Sequence, residues 1–161
     1  MKLKVDNQIP EAKIFYILEG QPKEESIKEV FGTKKVILFG LPGAFTSTCS
    51  KLHLPGFISN AKKIKDKGID KIFCLAVNDP YVMNAWAEAN NAGNSITMLA
   101  DPYLLFTKLI GAEVDRNSKG MGMRSSRYAM VIENLKVQHI QEEEETKNCG
   151  ISSAEGILSI I

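Results

Sequence analysis

The sequence predicts an α/β protein with a mixed β-sheet flanked by helices on both faces, and two observations lead to this prediction. Short apolar runs typical of buried strands alternate with segments of helical periodicity through most of the chain. Two further strand-like runs then follow one another around a turn at Glu133-Asn134. Alternation favours parallel pairing and the late pair favours a hairpin, so both are expected in one sheet. The length of 161 residues fits one domain over 1–161.

The strands are predicted from runs rich in apolar and β-branched residues. The first run, 12–20, indicates a strand or one arm of an N-terminal hairpin extension of the sheet. The other predicted strands are 34–40, 70–77, 96–100 and the two arms of 127–141.

The helices are predicted from apolar periodicity, capping residues and terminal glycines. Pro55-Gly56 is expected to interrupt the helix that follows the second strand. Asp79 and Asp101 each precede a proline, which is typical of a helix start. Ser152 and Glu155 have the spacing of a capping box. The predicted helical segments are 26–32, 50–53, 57–68, 78–90, 101–111 and 152–161.

Composition and charge exclude several classes of function. The apolar fraction is 44% and the charged fraction is 24%, which is ordinary for a soluble protein. A formal net charge of +1 gives no broad basic surface for nucleic acid, and no apolar run approaches a membrane span. The start of the chain, MKLKVDNQIP, lacks the apolar core of a secretory signal. We therefore expect a cytoplasmic protein whose cysteines are thiols, without a nucleic acid or membrane partner.

A cysteine stands where a predicted strand gives way to a helix, in the stretch LFGLPGAFTSTCSKLHLPGF. Thr46, Ser47 and Thr48 are all residue types that cap helices, which places Cys49 in the first helical turn. Backbone N–H groups and the helix dipole favour an anion there, and for cysteine the anion is the nucleophilic thiolate. Holding a thiolate at neutral pH takes roughly 3.4 kcal/mol of preferential stabilisation, whereas a helix terminus supplies about 0.3–1 kcal/mol. We therefore expect a cation near Cys49; the alternative is a small buried side chain with no chemistry.

Other chemistries do not fit the spacing of these residues. A P-loop needs a lysine that this stretch lacks, and a Cys-x5-Arg phosphate site would need arginine where Pro55 stands. No Cys-x-x-Cys pair is present, which excludes a thioredoxin-type dithiol. The thiol and imidazole side chains do not have zinc-site spacing. They are Cys49, Cys74, Cys149, His53 and His139. No metal site or cofactor is therefore expected.

The stretch PGAFTSTCSKLHLPGF resembles the active-site loop of the peroxiredoxins of type 5, also called type II. Their pattern Pro-x-x-x-Thr-x-x-Cys is met by Pro42, Thr46 and Cys49. The blocks LAVNDPYVMNAWAEAN, GMGMRSSRYAMVIENLKV and SSAEGILSII also resemble that group, so the resemblance runs from about Ala12 to the C-terminus. It implies a thioredoxin-like fold, no cofactor, and reduction of hydrogen peroxide and alkyl hydroperoxides for antioxidant defence and cell redox homeostasis.

The resemblance implies a role for each residue of the catalytic site. Cys49 matches the peroxidatic cysteine, which becomes a sulfenic acid when its thiolate attacks the peroxide. Thr46 matches the residue whose hydroxyl binds thiolate and peroxide, and Pro42 matches the ring that shields the thiolate from water. Arg127 matches the family arginine, which would supply the expected cation. Without the resemblance, Arg127 has the more ordinary interpretation of a surface charge or a cap partner.

The fate of the sulfenic acid stays open at this stage. Cys74 matches a cysteine proposed to resolve the sulfenic acid in plant members, but its apolar strand predicts a buried and inert thiol. Cys149 is about two positions from the resolving cysteine of animal members, and its loop position equally fits an incidental thiol. If neither resolves, glutathione with glutaredoxin, or thioredoxin, must act from outside.

Several side chains near these motifs have structural interpretations. His53 lies one helical turn after Cys49 and is predicted to be a hydrogen-bonded structural or surface histidine rather than a general base. The acidic run 142–145 is predicted to be a solvated strand end or loop. Apolar residues of the helix 78–90 are expected in the core: Tyr81, Met83 and Trp86.

Three functions are compatible with these residues. The first is a peroxidase that turns over with a thiol reductant. The second is a peroxide sensor or redox relay that passes the oxidation to a partner protein, and the third is a thioredoxin-fold binding module with a dormant thiol. The resemblance favours the first, and it implies a homodimer formed through loops near the active site, to which Phe45 would contribute.

Overall fold

A mixed seven-stranded sheet forms the centre of the molecule in a computed structural model that describes residues 1–161. Its strands, with a separate two-stranded pair, are β1 Lys13–Leu18, β2 Gln21–Ser26, β3 Lys35–Gly40, β4 Lys71–Ala76, β5 Thr97–Ala100, β6 Glu113–Asp115, β7 Met123–Ser125, β8 Tyr128–Glu133 and β9 Lys136–Glu142. The helices are α1 Ile27–Phe31, α2 Leu54–Asp66, α3 Pro80–Ala89, α4 Leu105–Leu109 and α5 Ala154–Leu158.

The strand order β2-β1-β5-β4-β3-β8-β9 confirms the predicted mixed sheet. The central strands β3, β4 and β5 are parallel, as expected for strands connected through helices. Strand β8 pairs antiparallel with β3, and β9 extends the sheet as its hairpin partner. The N-terminal hairpin β1–β2 joins the other side through β5. Strand β3, which ends just before the cysteine loop, therefore lies inside the sheet.

Alternate residues of the buried strands face two separate cores. On β3, Ile37 and Phe39 join the core that packs against α2, α3 and α5. Val36 and Leu38 join the opposite core, which α1 and α4 cover. The helices therefore flank both faces, as predicted. None of them is long and apolar enough to cross a membrane.

The predicted break in the helix at Pro55-Gly56 is wrong. A π-helical turn over Cys49–His53 runs directly into α2, and the Leu54 N–H donates to the Cys49 carbonyl. Proline at position 55 lies in the first turn of α2, where a missing N–H costs little. The wider π turn shifts the hydrogen-bond register ahead of the proline, so the helix continues through it.

Two other predicted helix starts differ from the structure. Asp101 is buried, and its carboxylate accepts hydrogen bonds from the N–H groups of Leu105 and Thr107 and from the Thr107 hydroxyl. The chain passes through a left-handed residue at Leu104, so α4 begins later than the Asp-Pro pair indicated. At α5 the cap is Ser153, whose hydroxyl accepts from the Gly156 N–H, and the predicted capping box is wrong.

Sequence patterns predict no element over residues 112–126, and the structure places a small hairpin there. Strands β6 and β7 pair with each other outside the main sheet. Strand β7 carries Arg124 and leads through Ser126 to Arg127, immediately before β8. The two arginines therefore enter the region near the cysteine loop from one short segment.

Candidate active site

Cys49 lies in the first turns of a helix that starts directly after the loop leaving β3. The helical backbone begins at Ser47, and the Thr46 carbonyl accepts a hydrogen bond from the Ser50 N–H at 3.0 Å. The positive end of the helix dipole thus lies at the cysteine, as the sequence predicted. The Cys49 side chain is 1% exposed and belongs to the core against α2, so water is almost excluded from the sulfur.

The buried guanidinium of Arg127 contacts the cysteine. Its Nη2 lies 3.2 Å from the Cys49 sulfur, and Arg127 is itself 1% exposed. The same side chain donates to the Thr146 carbonyl from Nε at 3.2 Å and from Nη2 at 2.9 Å. The sequence-based expectation of a cation beside the thiol is therefore met, and the alternative of a surface charge is wrong. A donor that carries full charge in a desolvated site stabilises a thiolate strongly.

His53 is fully buried and holds Arg127 from the other side. Its Nδ1 lies 2.9 Å from Nη1 of Arg127, and its Nε2 lies 2.9 Å from the Ser152 carbonyl. Arginine can only donate and a carbonyl can only accept, so the proton sits on Nε2 and Nδ1 is the acceptor. Burial and the neighbouring guanidinium lower the pKa of His53 to about 3. The neutral imidazole is therefore a structural acceptor, which agrees with the predicted hydrogen-bonded histidine.

Glu143 organises the loop that covers this arginine. Its Oε1 accepts hydrogen bonds from the Gly150 N–H, the Ser152 N–H and the Ser152 hydroxyl. Partial burial acts to raise the pKa of Glu143, but these hydrogen bonds outweigh it and hold the pKa below its ordinary value. The acidic run is therefore not simply solvated: Glu144 and Glu145 are exposed, whereas Glu143 closes a loop over the site.

Pro42 and Thr46 lie on the loop between β3 and the helix, but neither forms a hydrogen bond to the sulfur. Pro42 is buried, and its carbonyl faces Arg124 Nη1 at 3.4 Å. The Thr46 hydroxyl donates to the Gly43 carbonyl at 2.7 Å. The structure thus brings Cys49 and Arg127 into direct contact and places Pro42 and Thr46 on the adjoining loop.

The other two cysteines lie in different surroundings, and all three are free thiols. Cys74 is fully buried in β4 between β3 and β5, as its apolar strand predicted, and burial raises the pKa of its thiol well above the ordinary value. Cys149 is half-buried in the loop after β9. Burial raises the pKa of Cys149, and nearby Arg127 offsets part of that effect.

Sequence reasoning missed several groups that hold this site. Neither Glu143 nor Thr146 stands in a local pattern that marks it, because each acts on residues brought close only by the fold. Trp86 was predicted as core, and it is buried, but its indole N–H also donates to the Ser50 hydroxyl at 3.0 Å. Met83 is buried as expected, whereas Tyr81 is 60% exposed and the core prediction for it is wrong.

The site has a cysteine at the start of a helix, after a central strand of a mixed sheet, and a guanidinium in contact with the sulfur. This arrangement is typical of thiol-based redox enzymes. The surroundings provide a nucleophile, charged donors for developing negative charge and a site shielded from water. No group of three or more His, Cys, Asp or Glu side chains is placed to hold a metal ion.

Comparison with known proteins identifies the family. Residues 4–158 match the family model described as Redoxin. The chain is 42% identical over 160 residues to peroxiredoxin-2D of Arabidopsis thaliana, covering 99% of this chain and 98% of that protein. The crystal structure of reduced Prx3 from Vibrio vulnificus in complex with H2O2 superposes with a TM-score of 0.92 at 43% identity, over 98% of each chain. Peroxiredoxin 5 from Alvinella pompejana gives a TM-score of 0.86 at 33% identity, over 98% of this chain and 96% of that chain.

The chain belongs to the redoxin family, and within it to the thioredoxin-like peroxiredoxins of the type-II (type-5) group. It is accordingly a thiol peroxidase with an antioxidant function, which acts on peroxide and is recycled by a thiol reductant.

Proposed function

We propose that Cys49 is the peroxidatic nucleophile of this enzyme, and that Arg127, Thr46 and Pro42 bind and orient the hydroperoxide. The observation that carries the proposal is the 3.2 Å contact between the Cys49 sulfur and Nη2 of Arg127 in a site almost closed to water. Of the three cysteines, only Cys49 has a guanidinium as a hydrogen-bond partner of its sulfur.

The first step forms an S–O bond as the O–O bond breaks. The thiolate attacks one peroxide oxygen, sulfur loses two electrons, and the other oxygen leaves as hydroxide or alkoxide. That leaving group takes up a proton and departs as water or an alcohol. Arg127 stabilises the thiolate before the attack and the charge that moves onto the peroxide oxygens during it. Hydrogen peroxide as a substrate is supported by its presence in the Vibrio vulnificus relative.

Thr46 and Pro42 would complete the pocket from the loop side. The Thr46 hydroxyl has rotational freedom, so on peroxide binding it exchanges the Gly43 carbonyl for the substrate or the thiolate. Pro42 is buried and has no N–H, so its ring excludes water without offering a competing donor. Both residues hold the peroxide so that its two oxygens lie in line with the Cys49 sulfur. Such alignment of the reacting atoms provides a large part of the rate enhancement in a preorganised site.

We further propose that an external thiol reduces the sulfenic acid. Condensation of glutathione with the sulfenic acid releases water and leaves a mixed disulfide, which glutaredoxin or a second thiol then reduces; thioredoxin is the alternative reductant. Full burial of Cys74 within the sheet argues against its reaching the sulfenic acid. Cys149 lies in a loop tied down by Glu143 and by the Thr146–Arg127 hydrogen bonds, so its approach would require those contacts to break.

The proposed assembly is a homodimer in the cytoplasm. Apolar side chains around the active-site loop support the interface, since Phe45 is 60% exposed and Leu52 is 59% exposed. Three free cysteines fit a reducing compartment.

Mass spectrometry of the intact protein after one equivalent of hydrogen peroxide tests the chemistry. A gain of one oxygen that maps to Cys49 is expected, whereas a loss of two hydrogens would show that Cys149 or Cys74 forms a disulfide. Repeated peroxide consumption with glutathione and glutaredoxin, or with thioredoxin, separates an enzyme from a sensor that stops after one oxidation. Oxidation at Cys149 with an unreacted Cys49 would contradict the proposed nucleophile.

A further inference from the structure

We infer that Arg124 and Asn78 are positioning residues for the loop that carries Pro42 and Thr46, called here the peroxide-binding loop. Their side chains contact its backbone on either side of Gly43. Neither residue contacts Cys49, and both act through the backbone of the loop that carries Pro42 and Thr46. The inference rests on the proposed function, because it concerns how that loop is aligned with the sulfur.

Asn78 fastens the loop after Gly43. Its Oδ1 accepts a hydrogen bond from the Ala44 N–H at 2.9 Å. Asn78 directly precedes Asp79, whose carboxylate caps α3 by accepting from the Val82 N–H at 3.0 Å. The start of α3 is therefore fixed, and the Asn78 amide presents an acceptor from a rigid position.

Arg124 contacts the loop before Gly43. Its Nη1 lies 3.4 Å from the Pro42 carbonyl, at the long end of a hydrogen bond, and its Nε donates to the Met121 carbonyl at 2.8 Å. The hydrogen bond to Met121 orients the guanidinium, so Nη1 already points at the Pro42 carbonyl.

The packing at Gly43 shows how closely these two side chains approach the loop. A Cβ added to Gly43 would lie 2.9 Å from Arg124 Nη1 and 3.3 Å from Asn78 Oδ1. Gly43 is not among the glycines with positive φ, so its backbone conformation does not require glycine. A Cβ at this position would instead require the ends of the Arg124 and Asn78 side chains to shift.

The Gly43 carbonyl links these contacts to the catalytic loop. It accepts the hydrogen bond of the Thr46 hydroxyl at 2.7 Å before peroxide binds, so a displaced Gly43 would change the position from which that hydroxyl turns to the substrate. Arg127, three residues after Arg124, contacts the sulfur itself. One short segment therefore holds both halves of the site: Arg127 fixes the thiol side and Arg124 fixes the loop side.

The test compares two reactions of Cys49 in the same variants. Oxidation by hydrogen peroxide needs the aligned loop, whereas alkylation by iodoacetamide reports how reactive the thiolate is without it. Stopped-flow fluorescence of Trp86, the only tryptophan, follows the oxidation of Cys49, because the indole N–H donates a hydrogen bond to the hydroxyl of the neighbouring Ser50. We expect Arg124→Met and Asn78→Ala to lower the peroxide rate constant by about tenfold while alkylation changes by less than about twofold.

Matched variants exclude trivial causes. Asn78→Asp keeps the acceptor for the Ala44 N–H and is expected to retain the peroxide rate. Arg116→Met removes a guanidinium from the same part of the chain, where it has no hydrogen bond to the loop, and should change neither reaction. Gly43→Ala adds a Cβ without removing a polar group, and it should lower the peroxide rate selectively. Thermal unfolding of each variant verifies that it is folded.

The possible results separate this inference from the proposed function. Unchanged peroxide rates in Arg124→Met, Asn78→Ala and Gly43→Ala would overturn the positioning role, and so would a parallel loss of alkylation and oxidation. If Cys49 of the unaltered protein were not oxidised by peroxide at all, the proposed function would fail first, and the inference with it.

Discussion

Two cysteines in one core of this protein show how little burial alone says about reactivity. Cys49 and Cys74 are both essentially inaccessible and lie in the same cluster of apolar side chains. Cys74 sits within a strand between two neighbouring strands, and burial raises the pKa of its thiol. Cys49 stands at a helix start with Arg127 against its sulfur. Cys49 therefore differs from Cys74 in its helix position and in the charged hydrogen-bond donor on its sulfur.

Exclusion of water from this core strengthens the interactions between charged groups within it. At Cys74 burial outweighs the opposing effect of the Arg127 charge, so the pKa of the thiol is raised. At Cys49 the exclusion of water increases the attraction to the guanidinium, and that guanidinium is held by the neutral His53 and the Thr146 carbonyl. The comparison therefore predicts that changes to the polar partners will affect activity much more than changes to the second cysteine.

Replacing the two sulfurs separately should give the largest contrast. Cys49→Ser is expected to reduce peroxide consumption by more than about 10³-fold, because it removes the nucleophile. Cys74→Ala should leave the first oxidation of Cys49 unchanged, at some expense of thermal stability from the small cavity it creates. Peroxide consumption in the presence of a thiol reductant measures both. Full activity in Cys49→Ser would refute the assigned site.

Removing the cation should come next in size. Arg127→Met keeps the aliphatic stem but no donor, and the loss of a hydrogen bond to a charged group, about 1.5–3 kcal/mol, corresponds to roughly 10–150-fold in the rate of Cys49 oxidation. Arg127→Lys retains the positive charge but lacks the planar guanidinium, whose other nitrogens contact His53 and Thr146. An intermediate loss of the oxidation rate is therefore expected. Stopped-flow oxidation rates check this order. If Arg127→Met reacted as fast as the unaltered protein, the contrast between the two cysteines would lose its explanation.

The protonation of His53 gives a pH-dependent test. Its folded pKa of about 3 lies below the usual 6.5, so between these values the unfolded chain binds a proton that the folded protein excludes. Stability contributed by neutral His53 is therefore fully present above pH 6.5 and is lost on acidification, by about 1.4 kcal/mol per pH unit.

NMR of the imidazole nitrogens checks this directly. We expect His53 to stay neutral, with its proton on Nε2, down to about pH 4. A His53 signal that became protonated near pH 6 would contradict the assigned hydrogen bonds. Urea unfolding measured across the same pH range provides the matching loss of stability.

The smallest effect is expected at the third cysteine. Cys149 is half-buried in the loop tied by Glu143 and makes no hydrogen bond to the reacting sulfur. Cys149→Ser should therefore leave the rate of Cys49 oxidation within about twofold, as for a substitution away from the reacting groups. The persistence of the sulfenic acid in this variant, followed by mass spectrometry, shows whether Cys149 resolves it. Much longer persistence than in the unaltered protein would favour an internal disulfide over an external thiol.

Local sequence predicted the elements that carry their own signals. Strand β3, the cap at Asp79, the hairpin of β8 and β9, and the position of Cys49 at a helix start were all predicted from neighbouring residues. Where a local pattern competed with a contact several residues further along the chain, prediction failed. The position of Asp101 before Pro102 predicts an ordinary helix cap. Its buried carboxylate instead accepts hydrogen bonds from Thr107, and α4 begins only at Leu105.

The acidic run is a second case of the same kind. Four consecutive glutamates indicate solvated charge, yet Glu143 accepts three hydrogen bonds from residues seven and nine positions later. No spacing rule marks this contact, which closes the loop ahead of α5.

By itself the sequence predicted that Cys49 would stand at the start of a helix, since the strand, the loop and the helix are contiguous and act over a few ångströms. The predicted hydroxyl caps of that helix are wrong: Thr46 and Thr48 donate to the Gly43 and Lys147 carbonyls instead. It also required a cation without showing from its surroundings where one would come from. Only the tertiary structure decided that Arg127, 78 positions along the chain from Cys49, would meet the sulfur while His53 and Thr146 held it in place. The physical reason is that pairing of β8 with β3 brings these distant groups together, and charge interactions become strong only in the dry interior that this packing creates.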